Sequence, residues 1–365
     1  MSEPHVTPAL SSVEAPELAA VRPGEELDWA PLEQFVRAGI PALSGAMTAL
    51  QFPNGAANLT YLLRFDDAEL VLRRPPFGVV APGAHDMKRE YRVLSRLWQI
   101  FDRAPRAFLF CDDHSVIGSD FVIMERRHGA VARDGVPAAM VHHDDVARRM
   151  SFALVDAMAE LHLLDPATAE LAALGRPDGF AARQVEGWKT RWELVRPDDG
   201  PPEMDELPAR LAASLPAPTR ASFVHNDLKL DNCQFDPNDP DRVQSIFDWD
   251  MTTLGEPLVD LGTLLNYWPD PADPADAGRV SHAGLLAMGL PTRQEITEHY
   301  AARTGLDVSL AGWYEAFAQW KTGVVVQQLH NRWLRGESTD PRMATIADRL
   351  PRLAATASCL LDELA

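Results

Sequence analysis

Lysine is scarce in this chain. Of 365 residues 34 are basic, and only Lys88, Lys189, Lys229 and Lys321 are lysine, so 30 are arginine. Positive charge is short overall: 53 acidic residues leave a formal net charge of −19. That balance excludes nucleic-acid binding through bulk charge, because phosphate contacts need clustered Lys and Arg. A local basic pocket for a phosphorylated ligand stays open. Cysteine is scarce as well. Cys111, Cys233 and Cys359 lie far apart, with no CxxC pair and no metal-ligand spacing, which excludes a disulfide framework and a thiolate zinc site. No run reaches the roughly 18 apolar residues of a membrane span. The first residues show no positive stretch followed by an apolar one, so they do not read as a secretory leader. The expectation is a cytoplasmic protein that neither enters a membrane nor binds nucleic acid.

What is present is an ordinary globular content of 46% hydrophobic residues, which excludes wholesale disorder. At about 150 residues per domain, the length suggests two domains or lobes. Residues 1–28, rich in Pro, Glu and Ser, read as a flexible arm. A helix is expected over Leu32–Ala38. Short β-rich segments follow at Leu50–Phe52, Leu59–Phe65 and Leu70–Arg74, separated by the turn signals Asn54-Gly55 and Asp66-Asp67. Ala84–Trp98 carries Met87, Tyr91, Leu94 and Trp98 at helical spacing. Strands at Ala107–Cys111 and Ser119–Met124 complete a β-β-β-α-β-β order. After Glu125 helices dominate: Asp144–Leu164, Ala181–Val195, Pro208–Leu215, Leu258–Trp268, Arg293–Arg303, Leu310–Leu334 and Met343–Leu364. Pro208 suits the first position of its helix, where no N–H is needed. Short strands are expected at Phe223–His225, Cys233–Phe235 and Ser245–Phe247. The chain therefore reads as α+β, with a β-rich lobe at 29–125 and a mostly helical lobe at 126–365.

The stretch from Phe223 to Gly262 carries the chemistry. It holds His225-x-Asp227-x4-Asn232, then Asp248 beyond a polar turn at 236–241. Phosphoryl transfer explains this grouping, since its transition state needs positioning and charge neutralisation more than covalent chemistry. Asp227 can accept the proton of an incoming hydroxyl. Asn232 and Asp248 offer the hard oxygen donors that Mg2+ prefers, converging from two sides of a hairpin. His225 suits bracing of the loop better than titration. The remaining loop residues Asp231, Asp236, Asn238, Asp239 and Asp241 read as turn and cap formers.

The motif HNDLKLDN followed by DWD resembles the aminoglycoside phosphotransferase and choline kinase-like superfamily, which shares the protein-kinase fold. DWDMTTLGEPLVDLG, LRRPPFG and AHDMKREYRVL are similar to a subgroup related to the kinase-like domain fused to some acyl-CoA dehydrogenases. The resemblance spans about residues 30–340. It implies a protein-kinase-like two-lobe fold, with a small antiparallel β N-lobe that binds nucleotide and a larger helical C-lobe. It also implies ATP and Mg2+ as cofactors. The turn carrying Asn54, Gly55 and Asn58 would cover the ATP phosphates. Arg73, rather than Arg74, would grip the α- and β-phosphates and pair with Glu90. Val122–Arg127 would be the hinge, with Met124 lining the adenine pocket and the backbone around Glu125 and Arg127 reading the adenine edge. Lys229 would neutralise the transferred phosphoryl. Asp250 would support the metal site, Asp260 would brace the loop, and His162 would be a core histidine.

The pattern also departs from the protein kinases: GxGxxG, DFG and APE are all missing. Tyr267, Trp268, Trp313, Trp320, Gln327, Gln328, His330 and Arg332 could wall a small-molecule pocket or belong to the core. The leading expectation is an ATP-dependent kinase acting on a small-molecule hydroxyl, leaning to a hydroxyacyl-CoA-like metabolite. An aminoglycoside O-phosphotransferase is the alternative within the class, and a catalytically inactive nucleotide-binding module the alternative outside it. A metal-dependent hydrolase lacks HExxH or comparable His/Asp spacing.

Overall fold

The computed structural model describes residues 17–53, 58–78, 86–273, 284–337 and 340–364. The chain folds as an α+β unit with a small antiparallel sheet and a larger helical part. Helix α1 (Trp29–Gly39) packs on one face of a five-stranded antiparallel sheet. The strands are β1 (Thr48–Gln51), β2 (Leu59–Arg64), β3 (Glu69–Arg74), β4 (Ala107–Cys111) and β5 (Phe121–Glu125), in the order β1-β2-β3-β5-β4. Helix α2 (Met87–Leu97) connects β3 to β4, and the single turn α3 (His114–Ile117) connects β4 to β5.

Strand alternation decides which side chains face the second lobe. Leu70 and Leu72 of β3, with Phe121 and Ile123 of β5, join Leu32 and Val36 of α1 in one cluster. Val71, Val122 and Met124 turn to the other side and join the core that continues into the helical lobe. Arg73 pairs in register with Val122 and shares that inner side. Along α2 the buried residues Met87, Glu90, Val93, Leu94 and Leu97 form one helical stripe, so Glu90 stands within an apolar face aimed at Arg73. Asp86 caps the helix by accepting the Arg89 N–H at 2.9 Å.

Residues 17–28 are held where a free arm was expected. Ala19 and Gln51 exchange two backbone bonds of 2.9 Å, the Tyr61 hydroxyl donates to the Glu25 carbonyl, and Leu27 is buried. The unpaired edge of β1 supplies partners that composition could not reveal.

The second lobe contains α4 (Val146–Leu163), α5 (Phe180–Val195), α6 (Pro202–Ala213), α7 (Leu258–Tyr267), α8 (Arg293–Thr304), α9 (Ala311–Leu334) and α10 (Leu350–Asp362). Two small β units sit on it. β6 (Ser222–Val224) pairs with β9 (Thr253–Gly255), and β7 (Cys233–Asp236) forms a hairpin with β8 (Asp239–Ile246). Among the described residues no helix is long and apolar enough to cross a membrane.

Some boundaries differ from the expectation for identifiable reasons. Helix α6 starts at Pro202, which takes the first position, and Pro208 lies inside the helix. Proline there removes the N–H that would bond the Met204 carbonyl. The Trp320 indole of α9 donates to that carbonyl instead, at 3.2 Å. The last helix begins only at Leu350, because Pro351 fits a first turn and not a helix interior. Two 3-10 turns, Pro341–Ala344 and Ile346–Arg349, precede it. Strand β8 is longer than expected because the chain reverses at Pro237-Asn238, where Asp236 accepts the Asn238 N–H at 2.9 Å.

Candidate active site

The β7–β8 hairpin joins the two halves of the site. Asn232 immediately precedes β7, Phe247 follows β8, and the Phe247 N–H donates to the Asn232 carbonyl at 2.8 Å. Asp248 comes next, with φ +67°. Asn226, between His225 and Asp227, has φ +68°. Left-handed backbone is uncommon outside glycine and clusters at functional sites. At both positions hydrogen bonds hold it. The Asn226 amide donates to the Met251 carbonyl at 2.9 Å, and the Trp249 indole donates to the Ile246 carbonyl at 2.7 Å.

Asp260, near the start of α7, anchors the loop from below. Its carboxylate accepts the backbone N–H groups of His225 and Asn226, each at 2.6 Å. His162 of α4 bonds it through Nε2 at 3.1 Å, while its Nδ1 meets the Tyr300 hydroxyl at 2.7 Å. Burial pushes the Asp260 carboxyl up, but the hydrogen bonds from the His162 ring and the His225 backbone outweigh it and hold the group below the usual carboxylate range. Burial also pushes the Tyr300 hydroxyl up.

The His225 ring is fully buried and makes both its bonds to backbone. Nε2 lies 2.7 Å from the Phe247 carbonyl, and Nδ1 receives the Asp227 N–H at 3.3 Å. This assigns the proton to Nε2. The ring packs edge-on against Trp249, 4.8 Å between centroids. The geometry is that of a brace tying the loop to the residue before Asp248.

Asp227 and Asn232 face one another. The Asn232 amide nitrogen donates to the Asp227 carbonyl at 2.7 Å and to its Oδ2 at 2.9 Å, which turns the Asn232 amide oxygen away from Asp227. Lys229 Nζ lies 3.2 Å from Asp227 Oδ2 and 3.9 Å from Asp231, above the Tyr267 ring. Burial opposes the lysine's charge, but the two carboxylates outweigh it and keep the ammonium protonated.

Arg73 links the lobes. Its guanidinium donates to Glu90 Oε1 and to Asp248 Oδ1, both at 2.6 Å. Burial works against its charge, but Glu90, Asp248 and Asp250 hold it firmly protonated. Burial pushes the Glu90 carboxyl up to about 8, against the pull of Arg73. Burial also pushes Asp248 up, yet its direct bond to Arg73 brings it below the usual range. Among the described residues, Arg73 Nε and Glu90 Oε2 are buried without a hydrogen-bond partner. Arg74 turns to the opposite face, bonds the Pro75 carbonyl at 3.0 Å and stacks on Phe77. Asn58 also bridges the lobes, its amide donating to Asp250 Oδ2 at 3.1 Å.

The residues fit a Mg2+ site. Among the described residues no three His, Cys, Asp or Glu groups form a metal-binding cluster. Asp248 and the amide oxygen of Asn232 are the two groups that would hold such an ion, a sparse oxygen set to be completed by phosphates and water. Asn54 and Gly55 lie outside the described residues. Met124 is buried on the inner side of β5. Glu125 spends its side chain on the Arg106 N–H and the Arg127 guanidinium, both at 3.0 Å. A bridge from Ala130 to Phe235, two backbone bonds of 2.8 Å, ties the following segment to β7.

Trp268, Trp313 and Trp320 are core residues, each donating its indole N–H to a backbone carbonyl. Asn226 and Lys321 escaped the sequence reading. Lys321 of α9 donates to the Asn226 carbonyl at 3.2 Å; its rarity as one of four lysines was the available signal.

A sequence profile of the phosphotransferase enzyme family matches residues 48–299. Acyl-CoA dehydrogenase family member 11 of Rattus norvegicus is 30% identical over 345 residues, covering 92% of this chain and 43% of that protein. Acyl-CoA dehydrogenase family member 10 of Mus musculus is 28% identical over 311 residues, covering 84% of this chain and 29% of that protein. The chain thus spans less than half the length of these curated relatives. A crystal structure from Ralstonia eutropha, provisionally named an aminoglycoside phosphotransferase, is 26% identical, with a TM-score of 0.76 over 93% of this chain and 99% of that one. Aminoglycoside phosphotransferase APH(4)-Ia, in ternary complex with ADP and hygromycin B, shares the fold at 13% identity, with a TM-score of 0.56 over 92% of this chain and 99% of that one.

Proposed function

The chain belongs to the phosphotransferase enzyme family, and we propose that it is an ATP- and Mg2+-dependent kinase for a small-molecule hydroxyl. The observation that carries this reading is Arg73, held at 2.6 Å by both Glu90 and Asp248, beside the loop in which Asn232 fixes Asp227. A fixed guanidinium beside two oxygen donors and a carboxylate is what in-line phosphoryl transfer requires.

In this reading Arg73 binds the α- and β-phosphates, positioned by Glu90. Asn58 belongs to the segment over the phosphates. Met124 and the backbone around Glu125 and Arg127 receive the adenine. Mg2+, held by Asn232 and Asp248, would neutralise charge on the β- and γ-phosphates. Asp227 orients the acceptor hydroxyl and takes its proton as the new O–P bond forms and the bond from γ-phosphorus to the bridging oxygen breaks. Lys229 offsets charge on the moving phosphoryl. His225 and Asp260 hold the loop in register.

For the acceptor, the relatives' names favour a hydroxylated acyl thioester over an aminoglycoside. The test is ADP release across a panel of hydroxyacyl-CoAs and aminoglycosides. Turnover of hydroxyacyl-CoAs is expected. Aminoglycoside turnover alone would reverse the acceptor assignment, and a thermal shift with ATP–Mg2+ but no turnover of any hydroxyl compound would favour the inactive nucleotide-binding module.

A further inference from the structure

Lys321 is a partly buried ammonium at the catalytic loop with little to hold it. Of its three N–H donors, one serves the carbonyl of Asn226, the residue next to Asp227. Among the described residues, no carboxylate oxygen lies within 4.0 Å of it. Its other neighbour is the Trp188 ring of α5, with Nζ 5.5 Å from the centroid. Arg191 stacks on the same ring at 4.8 Å, and among the described residues its guanidinium bonds only the Gly187 carbonyl of its own helix. Lys229 lies 3.2 Å from Asp227 Oδ2.

Lys229 therefore pairs with Asp227, Lys321 bonds the residue beside it, and Arg191 shares the Trp188 ring with Lys321, in a chain whose acidic residues outnumber basic ones 53 to 34. With acid in such excess, Lys321 and Arg191 standing side by side with no carboxylate partner among the described residues oppose the composition. Holding an ammonium partly out of water with two donors unused is unfavourable, and a ligand anion would relieve it. Burial pushes the lysine's pKa down, and Arg191 and Lys229 add to the shift against Asp227 and Asp260, so the site gains from negative charge.

We propose that Lys321, with Arg191 beside it on the Trp188 ring, determines acceptor specificity by taking an anionic oxygen, a carboxylate or a phosphate, carried by the molecule whose hydroxyl meets Asp227. This rests on the kinase reading and narrows it to hydroxylated anions. A polycationic aminoglycoside would meet like charge here, whereas cationic substrates call for carboxylate walls.

The small lysine count makes a direct test practical. The full chain is produced with lysine labelled with 13C at Cε, which leaves all three N–H donors intact, and the Lys321 signal is assigned by its loss in K321M and in K321R. 3-Hydroxybutyrate, glycerol 3-phosphate, glycerol and ethanolamine are then titrated at constant ionic strength, without nucleotide. The Lys321 resonance is expected to move saturably with one or both anions, the responsive one identifying carboxylate or phosphate. It should stay within error with glycerol and ethanolamine. No movement with either anion, or equal movement with the neutral or cationic probe, overturns the proposal. Failure of the kinase reading shows separately, as absence of ATP–Mg2+ binding with this response intact.

Discussion

Replacing Asp260 by Asn tests whether the catalytic loop is held from beneath. The carboxylate accepts two backbone N–H groups at 2.6 Å and the His162 ring at 3.1 Å. An amide keeps one acceptor oxygen and turns an NH2 towards a group that also donates. At least one charge-assisted bond is lost, at about 1.5–3 kcal/mol, and a buried N–H is left unpaired, at about 1–3 kcal/mol more. Removal of a buried charge returns part of that, so a net loss of about 3 kcal/mol is expected, lowering Tm by roughly 6–12 °C at 2–4 °C per kcal/mol. Urea denaturation and a thermal melt measure it. Asp227 sits one residue beyond these bonds, so kcat should fall by at least about tenfold, or ~1.4 kcal/mol of barrier. The ATP–Mg2+ thermal shift should persist, because Arg73, Glu90 and Asp248 are untouched. A loss below about 0.5 kcal/mol with unchanged kcat would refute the brace.

Glu90 is pushed up to about 8 from an ordinary 4.5, so the folded protein holds this proton more tightly. Its stability contribution is complete below about pH 4.5 and is lost as pH rises through about 8. The urea midpoint should therefore fall more steeply from pH 5.5 to 8.5 in wild type than in E90Q, and parallel slopes would count against this. W320F should cost about 1–3 kcal/mol by orphaning the Met204 carbonyl, and less in a P208A background, where the restored helical N–H serves that carbonyl; equal costs in a double-mutant cycle would contradict the account. K229A should lower kcat/KM by about 10- to 100-fold, and a change within twofold would remove Lys229 from the transfer step.

Much of the fold is legible because it rests on local pattern. Short runs rich in β-branched and aromatic residues, bounded by turn signals, mark β2 through β5, and helical spacing marks α2. The order of Asp227, Asn232 and Asp248 around a polar turn shows the hairpin that joins them. Alternation puts Arg73 and Arg74 on opposite faces; the identity of the inner one needs the pairing of Arg73 with Val122. Strand β9 is invisible because Thr-Leu-Gly has no periodicity and gains its partner only through β6. Pro208 misleads because the group replacing its N–H, the Trp320 indole, lies 112 positions away. Residues 17–28 and Lys321 are misread or missed for the same reason: their partners, the β1 edge and the Asn226 carbonyl, are tertiary. The left-handed backbone at Asn226 and Asp248 follows from hydrogen bonds to segments distant in sequence, beyond what residue type alone can specify.

The most direct test of the kinase reading compares wild type with D227N for ATP–Mg2+ binding and for phosphoryl transfer to a hydroxyl acceptor. Binding is followed by thermal shift and transfer by 31P detection of the phosphoester. D227N should bind ATP–Mg2+ as wild type does, since its amide leaves Arg73 and Asp248 in place, and should form no phosphoester while wild type forms one per ADP released. Phosphoester formation by D227N at the wild-type rate would contradict the role given to Asp227, and absence of both binding and transfer in wild type would contradict the function itself.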